Sequence, residues 1–545
     1  MITRLKKNHK FIFIKSDLLF VLIFIVLASF YYVPFLNKGP LNVHLWKQTD
    51  CLSVTRCFSE GANFFKPEMN SQLGDNFKSG NTAGEFPILY YIVGMIWKFL
   101  GESYFSYRLF YLLILFVGLF AFYKSLCILF NDTFWAIAIS LLLFTSPVYV
   151  VYGVSFLPDA PAFSFILIAL YYFLRYSRDK IQKLFFVSMS FFALAGLIKV
   201  SSLIAFVFLF LIFILESLSA KTLVKSKVFK CNKYEWIGFF SVILIFFFWY
   251  YYAFYYNTLH GFKSTLNTIW PIWYIKEGDF DLLVKGIRNF TSYVFFSRPV
   301  LLVLLLVGIA NLFLWKKIPV FAYLSNILIV IGGAIYFILW APLMGIHDYY
   351  YIALLILFIG ILIPFAWFIK TGYPVIFKEY RLKLFLVIFI LYNFLYCLNV
   401  VILKTIAHRG SYFLVGNQEF VIGMKWTNSD VSNNWERFET MKPYIRQIGV
   451  KKEDKVISLP DKSPNVSLFL MGQKGWTDYL NFHNSDDIER LIQSGAKYIF
   501  ISDKKLLKEE YLSPFLTDKI GNYKGVEIFK LSKNMLMNFK KSSYQ

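Results

Sequence analysis

Residues 86–100 read FPILYYIVGMIWKFL, and whether they cross a membrane decides the topology of the whole chain. The run opens on Pro87 and carries Lys98 near its end. An α-helix needs about 20 residues to cross roughly 30 Å of hydrocarbon, at about 1.5 Å per residue, and this run falls short. Treating it as a span would also move every later basic cluster to the outside. We therefore read it as a juxtamembrane helix at the outer interface.

Working outward, eleven apolar runs have the length of a membrane span, at about 18–36, 106–129, 133–152, 160–176, 183–199, 201–218, 236–255, 299–315, 319–341, 349–369 and 382–403. With Arg4, Lys6, Lys7 and Lys10 inside, the basic clusters at 175–183, 221–233, 316–317 and 370–383 all fall on the cytoplasmic side, as the positive-inside bias requires. The first run is long and lacks an A-x-A-like cleavage site, so it reads as an uncleaved anchor. The same count places 37–105, the turn at Asp159, 256–298, the junction at His347 and the tail outside. The 256–298 segment, with Trp270, Pro271, Trp273 and Tyr274, reads as lying on the membrane surface.

Composition agrees with this topology. Of 545 residues, 58% are apolar and only 16% charged, which excludes an ordinary cytosolic enzyme. No segment alternates with period two, so an outer-membrane barrel is excluded as well. The formal charge of +23 is explained by cytoplasmic loops rather than by nucleic acid. Cysteines 51, 57, 127, 231 and 397 form no CxxC pair, and Cys51 can reach Cys57 only if their segment is not a regular helix. From about residue 404 the composition turns to mixed charge. There VISLP, VSLFLMG, KYIFIS and GVEIFKL read as short strands and DDIERLIQSG as a helix. The expectation is an all-α polytopic membrane domain over 1–403 and a small extracytoplasmic α/β domain over 404–545.

Chemistry-bearing residues gather where this topology puts the outer face. Asp50 and Arg56 sit six apart in a segment of helical spacing, and Glu85 precedes the juxtamembrane helix. A carboxylate in a low-dielectric crevice serves as a general base or metal ligand. Equally, Asp50 caps a surface helix and Glu85 is solvated. Asp159, in FLPDAPAF, reads as a helix cap ahead of Pro161 or as a second catalytic acid. Lys199 ends a span on the outside, where it reads either as a side chain snorkelling to the interface or as a cation that the positive-inside rule does not ask for. In HDYYY, residues 347–351, Asp348 reads as a cap and the tyrosines as an interfacial belt, whereas His347 reads as a metal ligand, a phosphate contact or a polar tip at the interface. With Arg108 these residues make a set of acids and cations on one face. Such a set suits transfer of a sugar from a lipid-linked phosphate, in which cations hold the leaving phosphate and one base takes the acceptor proton.

The order of several short motifs resembles a known family. Trp46-x-Gln48-Thr49-Asp50, Glu85-Phe86-Pro87-x-x-Tyr90-Tyr91, Tyr107-Arg108-Leu109, Thr145-Ser146-Pro147-Val148-Tyr149, Pro158-Asp159-Ala160-Pro161 and Gly196-Leu197-Ile198-Lys199 follow one another as in bacterial membrane glycosyltransferases of the GT-C fold. The likeness is narrowest to the protein O-mannosyltransferase-like group that includes the lipid A aminoarabinose transferase. It implies inverting transfer of a sugar from a polyprenyl-phosphate donor, undecaprenyl phosphate in bacteria, to a glycan, lipid or protein acceptor outside the cytoplasmic membrane. By position it implies Asp50 and Asp159 as catalytic acids. Glu85, Lys199, His347 and Tyr349 become donor-site residues, joined by Arg56 and Arg108 on topology. Some relatives hold a divalent metal, for which Glu85 and His347 are the candidates here. This chain has Thr49-Asp50-Cys51 where many relatives have an acidic pair.

Two other readings share these features: a flippase or transporter of lipid-linked glycans, and a polysaccharide polymerase or ligase. Trp46, Trp270 and Trp273 read as sugar-stacking surfaces or as interfacial anchors.

Overall fold

The computed structural model describes residues 15–40, 43–218, 228–262, 269–276, 278–291, 293–314, 316–318, 320–405, 435–482 and 484–532. The basic residues Arg4, Lys6, Lys7, Lys10, Lys221, Lys225 and Lys227, and the start of the expected tail domain, lie outside them. The chain forms two compact units. One comprises Met1–Lys38, Tyr104–Tyr250 and Thr268–Lys425, and the other Gly39–Ser103, Tyr251–Asn267 and Trp426–Gln545.

The first unit is built of apolar helices. Among the described residues of the chain, eight helices are long and apolar enough to span a membrane: Lys15–Tyr32, Tyr104–Phe130, Asp159–Asp179, Val200–Leu218, Lys233–Leu259, Ala322–Met344, Asp348–Gly372 and Tyr380–Thr405. Three expected spans take other forms. Those at 183–199 and 299–315 are shorter apolar helices, Gln182–Ile198 and Arg298–Phe313. The one at 133–152 is a pair, Thr133–Leu143 and Pro147–Gly153, bent by 74°. The bend has a local cause. Pro147 lacks an N–H, and Ser146 before it is extended. The buried Asn393 amide repairs the break by donating to the Thr145 carbonyl at 3.0 Å, while its own oxygen accepts from the Ser297 amide at 2.9 Å. In hydrocarbon such a partner is required, because no water replaces it.

The second unit joins the first outer loop to the tail. Residues 39–103 of the first loop and 426–545 of the tail belong to this one compact unit. Helix Leu45–Ser59 packs on Ile88–Leu100, whose 13 residues are too few to span a membrane. At their crossing a Cβ on Gly94 would meet the Phe58 Cβ at 2.7 Å, so only glycine allows this approach. Cys51 and Cys57 both lie inside the regular helix Leu45–Ser59 and are free thiols.

The tail carries a mixed sheet of β1 (Lys455–Leu459), β2 (Lys474–Thr477), β3 (Ala496–Ile501), β4 (Lys519–Tyr523) and β5 (Val526–Lys530) in the order β2-β1-β3-β5-β4. β1 is parallel to β2 and β3, and β5 is antiparallel to β3 and β4. The helix expected in DDIERLIQSG is Ser485–Gln493, capped by Asn484. The expected strand VSLFLMG is instead helix Val466–Met471, ended by Gly472 in the left-handed conformation. Every residue of that short run is buried, so its apolar pattern has no period that separates strand from helix. The first loop covers the β2 edge. Gln72 N–H donates to the Gly475 carbonyl at 2.8 Å, Gly475 N–H donates to the Asn70 carbonyl at 3.1 Å, and Trp476 Nε1 donates to the Gln72 carbonyl at 2.9 Å. An edge strand is thereby removed from solvent and the loop is fixed to the tail.

Candidate active site

Asp50 lies in the middle of helix Leu45–Ser59 and is 8% exposed, so it is not the surface cap that one sequence reading allowed. It lines a pocket with Lys47, Cys51, Thr82, Glu85 and Tyr90. Lys47 precedes Asp50 by three residues and so shares its helix face. Its ammonium is 2.9 Å from Glu85 Oε1, which makes Glu85 an ion-pair partner rather than a solvated acid. On the other side, Asn465 Nδ2 donates to Asp50 Oδ1 at 2.8 Å.

These neighbours set the charge state of the pocket. Burial pushes the Asp50 carboxyl up, and although Asn465 and Lys47 pull it back, it settles at about 6. Burial works against the Lys47 ammonium as well, but Glu85 together with Cys51 and Asp50 outweighs it and holds the group charged. Burial pushes the Cys51 thiol up to about 12, so it stays protonated, with its sulfur 3.3 Å from the Tyr90 hydroxyl. A buried carboxylate that ionises near neutrality is suited to accept a proton.

Arg56, expected to meet substrate, is buried and directs its described bonds to protein groups. Nε and Nη2 bind the two Glu102 oxygens at 3.0 and 2.6 Å, and Nη1 donates to the Phe469 carbonyl at 2.6 Å. The guanidinium also lies 3.7 Å from the Phe469 ring centroid. This is the geometry of a clamp on helix Val466–Met471.

The first unit gathers a second set. Asp159 is the first residue of its helix but makes no cap; its Oδ1 is 3.1 Å from Lys199 Nζ. The same ammonium lies 4.8 and 5.6 Å from the Tyr350 and Tyr349 ring centroids, and the His347 ring stacks on Tyr349 at 5.3 Å. Asp348 is not a cap either; it is buried with Lys404 and the Tyr152 hydroxyl as partners. Tyr349 and Tyr351 are buried, unlike an interfacial belt. Arg108 is fully buried, donating to the Val154 carbonyl at 2.7 Å and the Lys38 carbonyl at 3.0 Å, with the Phe156 ring at 4.2 Å. Trp46, Trp270 and Trp273 are exposed.

Lys47, Lys404 and Asn465 were not singled out from sequence. The i, i+3 spacing of Lys47 to Asp50 was a usable signal; Asn465, 415 residues from Asp50, carried none. The donor set does not fit a divalent metal. Glu85 is occupied by an ammonium, and no group of three His, Cys, Asp or Glu side chains able to hold an ion occurs among the described residues.

Residues 84–261 match the family described as dolichyl-phosphate-mannose-protein mannosyltransferase. The crystal structure of ArnT from Cupriavidus metallidurans in the apo state matches with a TM-score of 0.55 at 12% identity. The same protein bound to undecaprenyl phosphate matches with 0.53 at 13% identity. Each match covers 95% of this chain and 98% of the other. The chain has the fold of these structures, the GT-C fold. Among curated proteins no sequence matches it. With the GT-C fold come the multi-pass membrane architecture and the α/β tail read from the sequence.

Proposed function

We propose that the protein transfers a sugar from a polyprenyl-phosphate donor to an acceptor hydroxyl or amine at the outer face of the cytoplasmic membrane, with Asp50 as the base. The observation that carries this reading is the Asp50 carboxyl, buried on a pocket wall, held by Asn465 and poised near pH 6 beside the Lys47 ammonium. The family match over 84–261 and the undecaprenyl phosphate bound by the ArnT structure support the donor class.

In this mechanism Asp50 takes the proton of the acceptor as the acceptor atom forms its bond to the anomeric carbon. The bond from that carbon to the phosphate oxygen breaks from the opposite face, which inverts the configuration. The lipid phosphate departs with the electron pair as an anion and needs no proton, so one base suffices, unlike the carboxylate pair of a glycosidase. Lys47 supplies positive charge at the pocket.

The test is transfer of radiolabel from a panel of undecaprenyl-phosphate sugars in membranes containing wild type or Asp50→Asn, with donor binding measured in parallel. Turnover by wild type, with Asp50→Asn binding donor but inert, is the expected result. Transbilayer movement of donor without bond cleavage, unchanged in Asp50→Asn, would replace this reading with a flippase. A requirement for a diphosphate-linked glycan would replace it with a polymerase or ligase.

A further inference from the structure

Asn465 occupies the residue before helix Val466–Met471, where an asparagine side chain normally turns inward and caps the helix. Here it makes no cap. Its place is taken by Ser463, whose Oγ accepts from the Val466 amide at 2.9 Å, and by Asp461, whose Oδ2 accepts from the Ser467 amide at 2.8 Å. The Asn465 side chain turns instead to the first loop. Its Oδ1 accepts from the Ser71 amide at 2.9 Å, with Ser53 Oγ 3.4 Å away, and its Nδ2 donates to Asp50 Oδ1 at 2.8 Å. The Ser71 N–H can only donate, so the amide cannot be flipped and Nδ2 must face the carboxylate. Ser53 is itself fixed, its hydroxyl donating to Asn70 Oδ1 at 2.8 Å, and Asn70 Nδ2 donates to the Gln473 carbonyl at 2.8 Å. All of these groups are buried.

We propose that Asn465 of the tail is a positioning residue for Asp50, holding the carboxylate in one orientation and favouring its charged form, so that the tail is part of the working site. This rests on the reading of Asp50 as the base. Other charged and titratable groups reach Asp50 from every side: Lys47 on its own helix, Glu85 ahead of Ile88–Leu100, and Asp461 and Tyr479 in the tail. Of these, Lys47 favours the carboxylate, while Glu85 and Asp461 oppose it. Removing the Asn465 donor leaves burial less opposed, and the carboxyl titrates at higher pH.

The experiment is a pH titration by difference infrared spectroscopy on the full-length purified protein without donor, following the carboxyl band that Asp50→Asn abolishes. In Asn465→Ala the midpoint moves up by about one pH unit, as loss of one charge-assisted hydrogen bond predicts. Asn465→Asp is the isosteric variant. It keeps the acceptor for Ser71 but faces Asp50 with a carboxylate, so its midpoint moves further than that of Asn465→Ala. If Asn465→Ala does not fold, Asn465→Ser, which removes the amide donor and keeps a polar side chain, takes its place. A structural role for Asn465 predicts an unmoved midpoint in these donor-removing variants, and that result overturns the proposal. Rate profiles with the donor found in the panel then separate the two readings. An acidic limb of kcat that follows the infrared midpoint in each variant supports both. Normal turnover by Asp50→Asn overturns the base reading and this proposal with it. An inert Asp50→Asn with midpoints unmoved in the Asn465 variants overturns the positioning role alone.

Discussion

Lys47 and Glu85 form an ion pair, Nζ to Oε1 2.9 Å, on the wall of the pocket that Asp50 also lines. The two charges act on Asp50 in opposite senses. Glu85→Gln removes a like charge, so the acidic limb of activity moves to lower pH; Lys47→Met removes the opposite charge, so the limb moves to higher pH. Rate profiles of the two variants against wild type check the signs, and movement in the same direction would show that the pair does not tune Asp50.

Asp50 works against the stability of the fold. Its carboxyl titrates near 3.8 when unfolded and at about 6 when folded, so the folded state binds more protons between those values. Stability tied to this group is fully present below pH 3.8 and lost as pH rises through 6. Asp50→Asn is therefore more stable at neutral pH, by on the order of 3 kcal/mol for a shift of about two units. Turnover falls about 10²- to 10⁴-fold, the usual worth of a positioned base. Thermal unfolding in detergent should show the gain growing between pH 4 and 6 and constant above; a gain independent of pH would mean that ionisation is not its source.

Arg56 holds helix Val466–Met471 against the first loop through Glu102 and the Phe469 carbonyl. Arg56→Ala leaves both acceptors without this guanidinium and costs about 3 kcal/mol of stability. Arg56→Lys recovers only part, because an ammonium cannot bind both carboxylate oxygens and lie flat on Phe469. Unfolding of the two variants gives the order wild type, Lys, Ala.

In the membrane unit the Asp348–Lys404 pair is buried on both sides. Lys404→Met strands a carboxylate in a low dielectric and destabilises by about 3–5 kcal/mol, whereas the double variant Asp348→Asn, Lys404→Met returns close to wild type. Detergent-unfolding midpoints for the two single variants and the double form a cycle that measures this coupling.

Much of the fold was legible because apolar span length is a one-dimensional property. Hydrocarbon thickness fixes how many residues a helix needs, so Tyr104–Phe130 and Tyr380–Thr405 stand out in any reading, and Ile88–Leu100 is too short. The bend at Thr145-Ser146-Pro147 is written in the proline, yet the apolar run over 133–152 is long enough to read as one unbroken span. Helix Val466–Met471 reads as a strand in the sequence because six buried residues, five of them apolar, carry no period.

The site was half legible. The sequence by itself marked Asp50, Glu85, Asp159, Lys199 and His347, as charged or polar groups gathered on the face that the topology puts outside and as positions of the GT-C-like motifs. Their partners were decided by tertiary structure alone. Asp50 is joined to Asn465 across 415 residues, Asp348 to Lys404 across 56 and Arg56 to Phe469 across 413. Hydropathy is summed along the chain, but the charge state and orientation of a buried carboxylate are set by what surrounds it in space, and no local pattern encodes that.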